Sequence, residues 1–152
     1  MSMVIRLCRH EDIDQIVELG RGMHEESAYS FLPYDPEKVR RLAIDMIEHP
    51  ETRCGLVAEQ DHAVVAMLGG YLTDYFFCDE DIACDMVLFV DRDYRGSPAA
   101  AKLIQGFRNW AIARGARELC LSISTNVSTE SIGRLYKGLG FTQVGAIYKQ
   151  RL

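Results

Sequence analysis

The feature that most constrains the fold is a β-forming run that leads through a turn into a helix. Residues 85–90 are rich in valine, leucine and phenylalanine, which favours a strand. Ser97 and Pro98 then suit the cap and the first position of a helix. The apolar face of that helix consists of Leu103, Ile104, Phe107, Trp110 and Ala111. A strand and a helix joined in this way predict a sheet covered by helices.

The remaining segments predict a mixed α/β sheet with the element order β-α-α-β-β-β-α-β-α-β. Strand patterns occur at residues 4–7, 53–59, 63–74, 85–90, 119–123 and 141–148. Helical patterns occur at residues 11–27, 36–49, 98–115 and 128–137. Helices would therefore cover the faces of one central sheet.

The length of 152 residues suits one domain, and we expect residues 1–152 to form it. No apolar run approaches the roughly 18 residues that span a bilayer, and the first nine residues lack the apolar stretch of a secretory signal. We therefore expect a cytoplasmic protein with no membrane contact.

The five cysteines are an odd, scattered set, which is not typical of a disulfide framework. Cys78 and Cys84 are close enough in sequence to share a metal ion, but the pattern favours buried thiols in a reducing compartment. We expect no metal site.

Charge is unevenly distributed along the chain. Residues 1–93 contain 20 Asp and Glu against 8 Lys and Arg, whereas residues 94–152 contain 9 Lys and Arg against 2 Glu. The asymmetry indicates either two differently charged ligands or two halves that neutralise each other on folding. Basic residues in the second part alternate with core residues, unlike a nucleic-acid-binding arm, so no nucleic-acid partner is expected.

The turn after residue 90 has the chemistry of an anion site. A helix N-terminus offers free N–H groups and a partial positive charge, and Arg95 would add a full one. The small residues Gly96, Ser97, Ala99 and Ala100 would let a ligand approach the main chain. An ordinary strand-to-helix connection is the alternative.

Tyr136 is the second candidate for a chemical role. It shares a helix face with Ile132 and Leu139, so its ring should point inward, where its hydroxyl needs a partner. A phenol can donate a proton to a leaving thiolate. A core tyrosine with no catalytic role is the alternative.

Together these two segments resemble the GNAT superfamily of acetyl-CoA-dependent N-acetyltransferases. The family's phosphate motif, R/Q-x-x-G-x-G/A, is similar to Arg95-Gly96-Ser97-Pro98-Ala99-Ala100, with proline where glycine is usual. The family's N…LYxxLGF pattern is similar to Asn126 followed by Leu135-Tyr136-Lys137-Gly138-Leu139-Gly140-Phe141. The resemblance extends over nearly the whole chain in element order.

The resemblance implies a mostly antiparallel central sheet flanked by about four helices, and acetyl-CoA as the acyl donor. The pantetheine arm would pair with the backbone of Leu88, Phe89 and Val90, where an N–H near Val90 would polarise the thioester carbonyl. Asn126 would touch CoA, and Tyr136 would be the general acid. The pyrophosphate would lie against the turn, on the amides of Gly96, Ser97, Ala99, Ala100 and Ala101.

Pro98 departs from the family pattern. Proline has no N–H, and a hydrogen bond to a charged group contributes roughly 1.5–3 kcal/mol. If relatives use that amide, CoA binding here would be weaker by about tenfold or more.

An amine acceptor needs a base, and the resemblance points to two carboxylates. Asp85 is the first candidate, because it lies on the strand leading to the CoA turn, and Glu26 is the second, because early helices of the family line the acceptor cleft. The acidic first part of the chain favours a cationic amine. The aromatic residues either shape an acceptor pocket or form core and homodimer contacts; they are Tyr29, Phe31, Tyr34, Tyr75, Phe76 and Phe77.

Two other functions remain open on the same fold. One is a non-catalytic acyl-CoA-binding or protein-interaction module, which Pro98 favours, and the other is a scaffold that binds no CoA. Tyr136 and Asn126 favour the enzyme, and CoA release with a panel of amines distinguishes enzyme from binder.

Overall fold

The computed structural model describes residues 2–123 and 129–152. Its strands are β1 (Val4–Leu7), β2 (Arg53–Gln60), β3 (Ala63–Asp74), β4 (Asp81–Val90) and β5 (Glu118–Cys120). Its helices are α1 (Ile13–Glu26), α2 (Pro36–Glu48), α3 (Ala99–Ala113) and α4 (Thr129–Gly138). Among these residues, no helix is long and apolar enough to cross a membrane.

The strands form one sheet in chain order, β1-β2-β3-β4-β5. The first three pairings are antiparallel, and only β4 and β5 run parallel. The register of β4 on β3 shifts so that Gly69 faces Val87 while Gly70 faces Asp85, which leaves Met86 as an extra residue. Such a bulge bends its strand and redirects the side chains around it. The strand order, the pairing directions and the four helices confirm the predicted α/β fold with a mostly antiparallel sheet.

Helices cover both faces of the sheet, so its central strands are buried on both sides. On one face α3 packs Leu103, Ile104 and Phe107 against β2 and β3, and Tyr136 of α4 joins this core. On the other face α1 and α2 form two smaller clusters. The approach of α3 is so close that a Cβ on Gly70 would overlap the ring of Phe107. Glycine at this position therefore lets the helix reach the sheet.

The start of α1 is fixed by a charge network that the sequence patterns did not predict. Arg6 of β1 donates to Asp12 at 2.7 and 2.8 Å and to Glu59 of β2 at 2.5 and 3.0 Å. Asp12 also accepts from the backbone of Arg9. Because the Arg6 guanidinium donates to it, the pKa of Asp12 lies below its usual value despite burial. The network joins the first helix to the edge of the sheet.

Several predicted boundaries are correct, and two clear differences concern the starts of α3 and β4. Asp35 caps α2 as expected, through the amides of Glu37 and Lys38. Helix α3 begins at Ala99, one residue later than predicted, with Pro98 as its cap residue. Strand β4 begins four residues earlier than predicted, because its first half pairs with β5 as well as β3.

The strand predicted at residues 141–148 is absent, and this prediction was wrong. Gly140 turns the chain with a φ of +95°, and the segment beyond it is largely exposed, with Val144 at 96%. An alternating pattern makes a segment able to form a strand, but a strand also needs an edge to pair with. Strand β5 pairs along only three residues and offers this segment no partner among the described residues.

Candidate active site

The centre of the candidate site is the point where β4 and β5 separate. Their backbone pairing ends at Cys84 and Cys120. Beyond that point, the backbone groups of Ser122 form hydrogen bonds with side chains instead. Asp85 Oδ1 accepts from the Ser122 amide at 3.1 Å and from its hydroxyl at 3.2 Å. The hydroxyl of Tyr136 donates to the Ser122 carbonyl at 3.1 Å. Two predicted catalytic residues, from a strand and from a helix, therefore meet on one residue of β5's extension.

The ionisation of both groups is perturbed by burial. Burial raises the pKa of Asp85 to about 6, although the hydrogen bonds from Ser122 oppose it. Burial, and then the negative charge of Asp85, raise the pKa of Tyr136 well above its usual value. At neutral pH the carboxyl is thus mostly ionised yet more basic than a surface carboxylate, and the phenol keeps its proton.

A cavity of about 370 Å³ opens between the end of β4, the start of α3 and α4. The predicted pantetheine strand forms one wall with Leu88, Phe89 and Val90. The turn forms a second wall with Arg95, Gly96, Ser97 and Ala100. Ser131, Ile132 and Leu135 of α4 form the third. The cavity therefore has an apolar part next to a basic turn.

The turn carries free backbone donors at the start of α3. The amides of Gly96, Ala100 and Ala101 have no acceptor within residues 2–123 and 129–152, whereas Ser97 N donates to Tyr94 and Ala99 N to the Ser97 hydroxyl. Gly96 has a φ of +88°, with open space where a Cβ would lie. Free helix-terminal amides beside an arginine fit an anionic group such as a pyrophosphate.

Three residues predicted to bind the pyrophosphate lie outside the cavity walls. Pro98 is exposed, Ala99 is buried in the core and Ala101 is half-buried, and none of them lines the cavity. Pro98 instead supports the helix, because its carbonyl accepts from Lys102 at 3.0 Å. Asn126, the other predicted CoA contact, lies outside the described residues.

Glu26 lies at the end of α1, against the anion-binding turn. Its carboxylate pairs with Arg92 at 3.0 Å and with Arg95 at 2.5 Å, and only 16% of the side chain is exposed. Burial would raise its pKa, but the hydrogen bonds from Arg95 and Arg92 outweigh burial and lower it. Because its pKa is lowered, Glu26 is a weaker base than Asp85. The sequence did not predict its pairing with the two arginines.

The acidic and aromatic residues assigned to the acceptor do not form one cluster. The acidic loop lies at the end of β4 that is far from the cavity, where Asp79 and Glu80 precede the strand and Asp81 begins it. There Glu80 pairs with Arg117 at 3.9 Å. Tyr75 donates to Glu118 at that same end, where Phe76 is 99% exposed. Tyr34 donates to the Val17 carbonyl.

Tyr29 and Phe31 follow α1 and bear cations from the C-terminal segment. Lys149 lies over the Tyr29 ring at 4.1 Å, and Arg151 over the Phe31 ring at 3.8 Å. These two rings therefore offer a surface on which a positive charge is already seated.

The site thus combines an apolar cavity beside a basic turn with a buried carboxyl and a buried phenol that meet on one residue of an α/β domain. Consistent with this, the family model described as "Acetyltransferase (GNAT) family" matches residues 4–141. The chain belongs to the GNAT acetyltransferase family, which confirms the resemblance noted in the sequence. Among the described residues, no group of three His, Cys, Asp or Glu side chains is arranged to hold a metal.

Solved structures share the fold over the whole chain at low identity. A ribosomal-protein-alanine N-acetyltransferase from Brucella melitensis biovar Abortus 2308 superposes with a TM-score of 0.78 at 20% identity, covering 100% of both chains. Glucosamine-6-phosphate N-acetyltransferase from Arabidopsis thaliana gives 0.77 at 14%, covering 99% of both chains. The acetyltransferase AAC(6')-Iy, solved with a CoA bisubstrate analogue, gives 0.77 at 16%, covering 100% of both. No curated protein matches this chain.

Proposed function

We propose that this chain is an N-acetyltransferase that moves the acetyl group of acetyl-CoA to a cationic amine by direct attack. The observation that carries the proposal is the meeting of Asp85 and Tyr136 on Ser122, where β4 and β5 separate. A carboxyl with a raised pKa and a protonated phenol are the two groups that amine acetylation needs.

The cavity and the turn would hold the donor. Acetyl-CoA supplies an activated thioester, and its phosphates suit the free amides of Gly96, Ala100 and Ala101 together with Arg95. Leu88 and Val90 would present backbone groups to the extended arm, and Ile132 and Leu135 would pack against it from α4. The basic composition of residues 94–152 favours the same anionic ligand.

Asp85 would act on the acceptor and Tyr136 on the leaving group. A lysine-like amine, whose pKa in water is near 10.4, is mostly protonated at pH 7, so Asp85 would take a proton from it, directly or through water. The neutral amine would then attack the thioester carbonyl, and a backbone N–H near Val90 would polarise that carbonyl. Tyr136 would turn its hydroxyl from the Ser122 carbonyl to the departing thiolate and protonate it.

Two features support a cationic acceptor. Residues 1–93 carry 20 acidic against 8 basic side chains, and that part supplies the α1 side of the site. The rings of Tyr29 and Phe31 already hold the charges of Lys149 and Arg151. The structural neighbours are named for different amines, among them an aminoglycoside analogue and glucosamine 6-phosphate, so the class is inferred from charge.

Release of free CoA thiol from acetyl-CoA, measured with a panel of amines, tests the proposal. We expect turnover with polyamines, lysine peptides or aminoglycosides and little with aspartate or glutamate. Tyr136→Phe is the matched control, because it keeps the ring in the core and removes only the hydroxyl. Binding of acetyl-CoA without thiol release from any amine would indicate a non-catalytic acyl-CoA-binding module instead. Preference for an acidic amine would contradict the assigned acceptor class.

A further inference from the structure

Two thiols lie directly opposite each other at the end of the only parallel pairing in the described part of the sheet. Cys84 of β4 and Cys120 of β5 are register partners. Register partners on neighbouring strands point to the same face, about 4.8 Å apart along the hydrogen-bonding direction. Both cysteines are free; Cys120 is exposed and Cys84 is half-buried.

These thiols face away from the groups of the proposed reaction. Ala83, next to Cys84, is buried in the core beneath α3, so Cys84 points to the opposite face of the sheet. There it faces Tyr71, its partner on β3. Burial, and then the adjacent Cys120 thiol, raise the pKa of Cys84. The two sulfur groups are thus close enough to interact, and acetyl transfer uses neither.

We propose that Cys84 and Cys120 form a redox-active dithiol that a low-molecular-weight disulfide converts into an intrachain disulfide. The exposed Cys120 thiolate attacks the small disulfide and forms a mixed disulfide, which releases one thiol. The Cys84 thiolate then attacks the Cys120 sulfur, forms the Cys84–Cys120 bond and releases the second thiol. The two cysteines lose two electrons and two protons, and the small disulfide is reduced to two thiols.

The geometry suits this bond and couples it to the candidate active site. Disulfides span Cα separations of about 4.4–6.8 Å, most often about 5.5–6 Å, so paired strands lie at the short end of the range. A disulfide also needs Cβ atoms about 3.5–4.5 Å apart, which is less than the spacing of paired strands, so oxidation would draw the two residues together and shift β4 against β5 by up to about 1 Å. Asp85 follows Cys84 directly, and Ser122 lies two residues beyond Cys120. That shift would distort the 3.1 and 3.2 Å hydrogen bonds between Asp85 and Ser122, which should slow acetyl transfer.

Intact mass and peptide mapping after incubation with oxidised glutathione test the chemistry. The background is Cys78→Ser, because Cys78 is exposed on the turn before β4 and would react by itself. We expect loss of two hydrogens and a peptide linking Cys84 to Cys120. In Cys84→Ser the glutathione adduct should instead persist on Cys120. A lasting adduct on Cys120 while Cys84 is present, or no reaction at either residue, would overturn the proposal.

Turnover of the oxidised protein tests the coupling. It should fall by about two- to tenfold, the change expected when one hydrogen bond to a charged group weakens, and it should recover on reduction with a phosphine. Cys120→Ser, treated in the same way, should show no change. Unaltered turnover of fully oxidised protein would overturn the coupling. The mass measurement does not depend on acetyl transfer, so failure of the proposed function is distinguishable.

Discussion

Replacing Asp85 with asparagine should make the protein more stable and less active. Burial raises the pKa of Asp85 from 3.8 to about 6, so the folded state holds the ionised carboxyl at a cost of about 3 kcal/mol at neutral pH. Asparagine keeps an Oδ1 that can accept both hydrogen bonds from Ser122 and removes the charge. At pH 8 Asp85→Asn should therefore be the more stable protein by up to about 3 kcal/mol.

The sign of the pH dependence follows from the raised pKa. Below about pH 4 Asp85 is protonated in both folded and unfolded wild type, and ionisation costs nothing. As pH rises from about 4 through about 6, the wild type loses the stability that the neutral carboxyl had, whereas Asp85→Asn does not. The difference between their unfolding free energies should grow across this window and then stay constant.

Urea unfolding at a series of pH values, followed by the fluorescence of the single tryptophan, Trp110, measures this difference. If the difference in unfolding free energy does not change between pH 4 and pH 8, ionisation of Asp85 does not destabilise the folded protein. A wild type more stable than the variant at pH 8 would contradict the reasoning directly. Activity supplies the second half: thiol release by Asp85→Asn should fall by about 10²–10⁴-fold if the carboxyl is the base.

Three further changes test other parts of the site. Tyr136→Phe should lower turnover by roughly 10–100-fold, the lower end of general-acid effects because a thiolate leaves readily, while acetyl-CoA affinity stays constant; an unchanged rate under chemistry-limited conditions would remove its role. Glu26→Gln should tighten acetyl-CoA binding by about two- to fivefold in calorimetry, because Arg95 loses a competing partner. The control is Glu25→Gln, which is exposed on the same helix. Equal acetyl-CoA affinities of Glu26→Gln and the wild type would contradict the competition. Pro98→Gly should tighten acetyl-CoA binding by up to about tenfold and slightly lower the stability of the unliganded protein. An unaltered affinity would show that the absent N–H at position 98 does not weaken acetyl-CoA binding.

Local sequence patterns predicted most of the helices and strands. The cap at Asp35, the glycine at the end of α3 and the periodicity around Tyr136 all reflect interactions within a few residues, and the start of α3 was misplaced by only one residue. The strand predicted at 141–148 failed for the opposite reason, because pairing depends on an edge supplied by a distant part of the chain. The same distinction explains the boundary of β4, which depends on its two neighbours.

The candidate site divides along the same line. Arg95, Gly96 and Ala100 line the cavity together, and the sequence could group them because their motif is a local turn. Ser122 was not predicted. It reaches Asp85 through its amide and its hydroxyl, but its link to Tyr136 is made by its backbone carbonyl, and a backbone role leaves no pattern in side-chain types. The pairing of Glu26 with Arg95 spans 69 residues, and only the packing of α1 against the turn reveals it.

Calorimetric titration of acetyl-CoA into the wild type and an Ala100→Glu variant tests the central claim most directly. Ala100 lines the cavity at the first turn of α3, so a glutamate there would place a carboxylate among the free amides and repel the phosphates. Ala113→Glu, which adds the same charge at the exposed far end of α3, is the matched control. The account predicts saturable binding to the wild type and the control, and an affinity at least about tenfold weaker for Ala100→Glu. No heat of binding to the wild type at millimolar acetyl-CoA, or equal affinities for all three proteins, would contradict it.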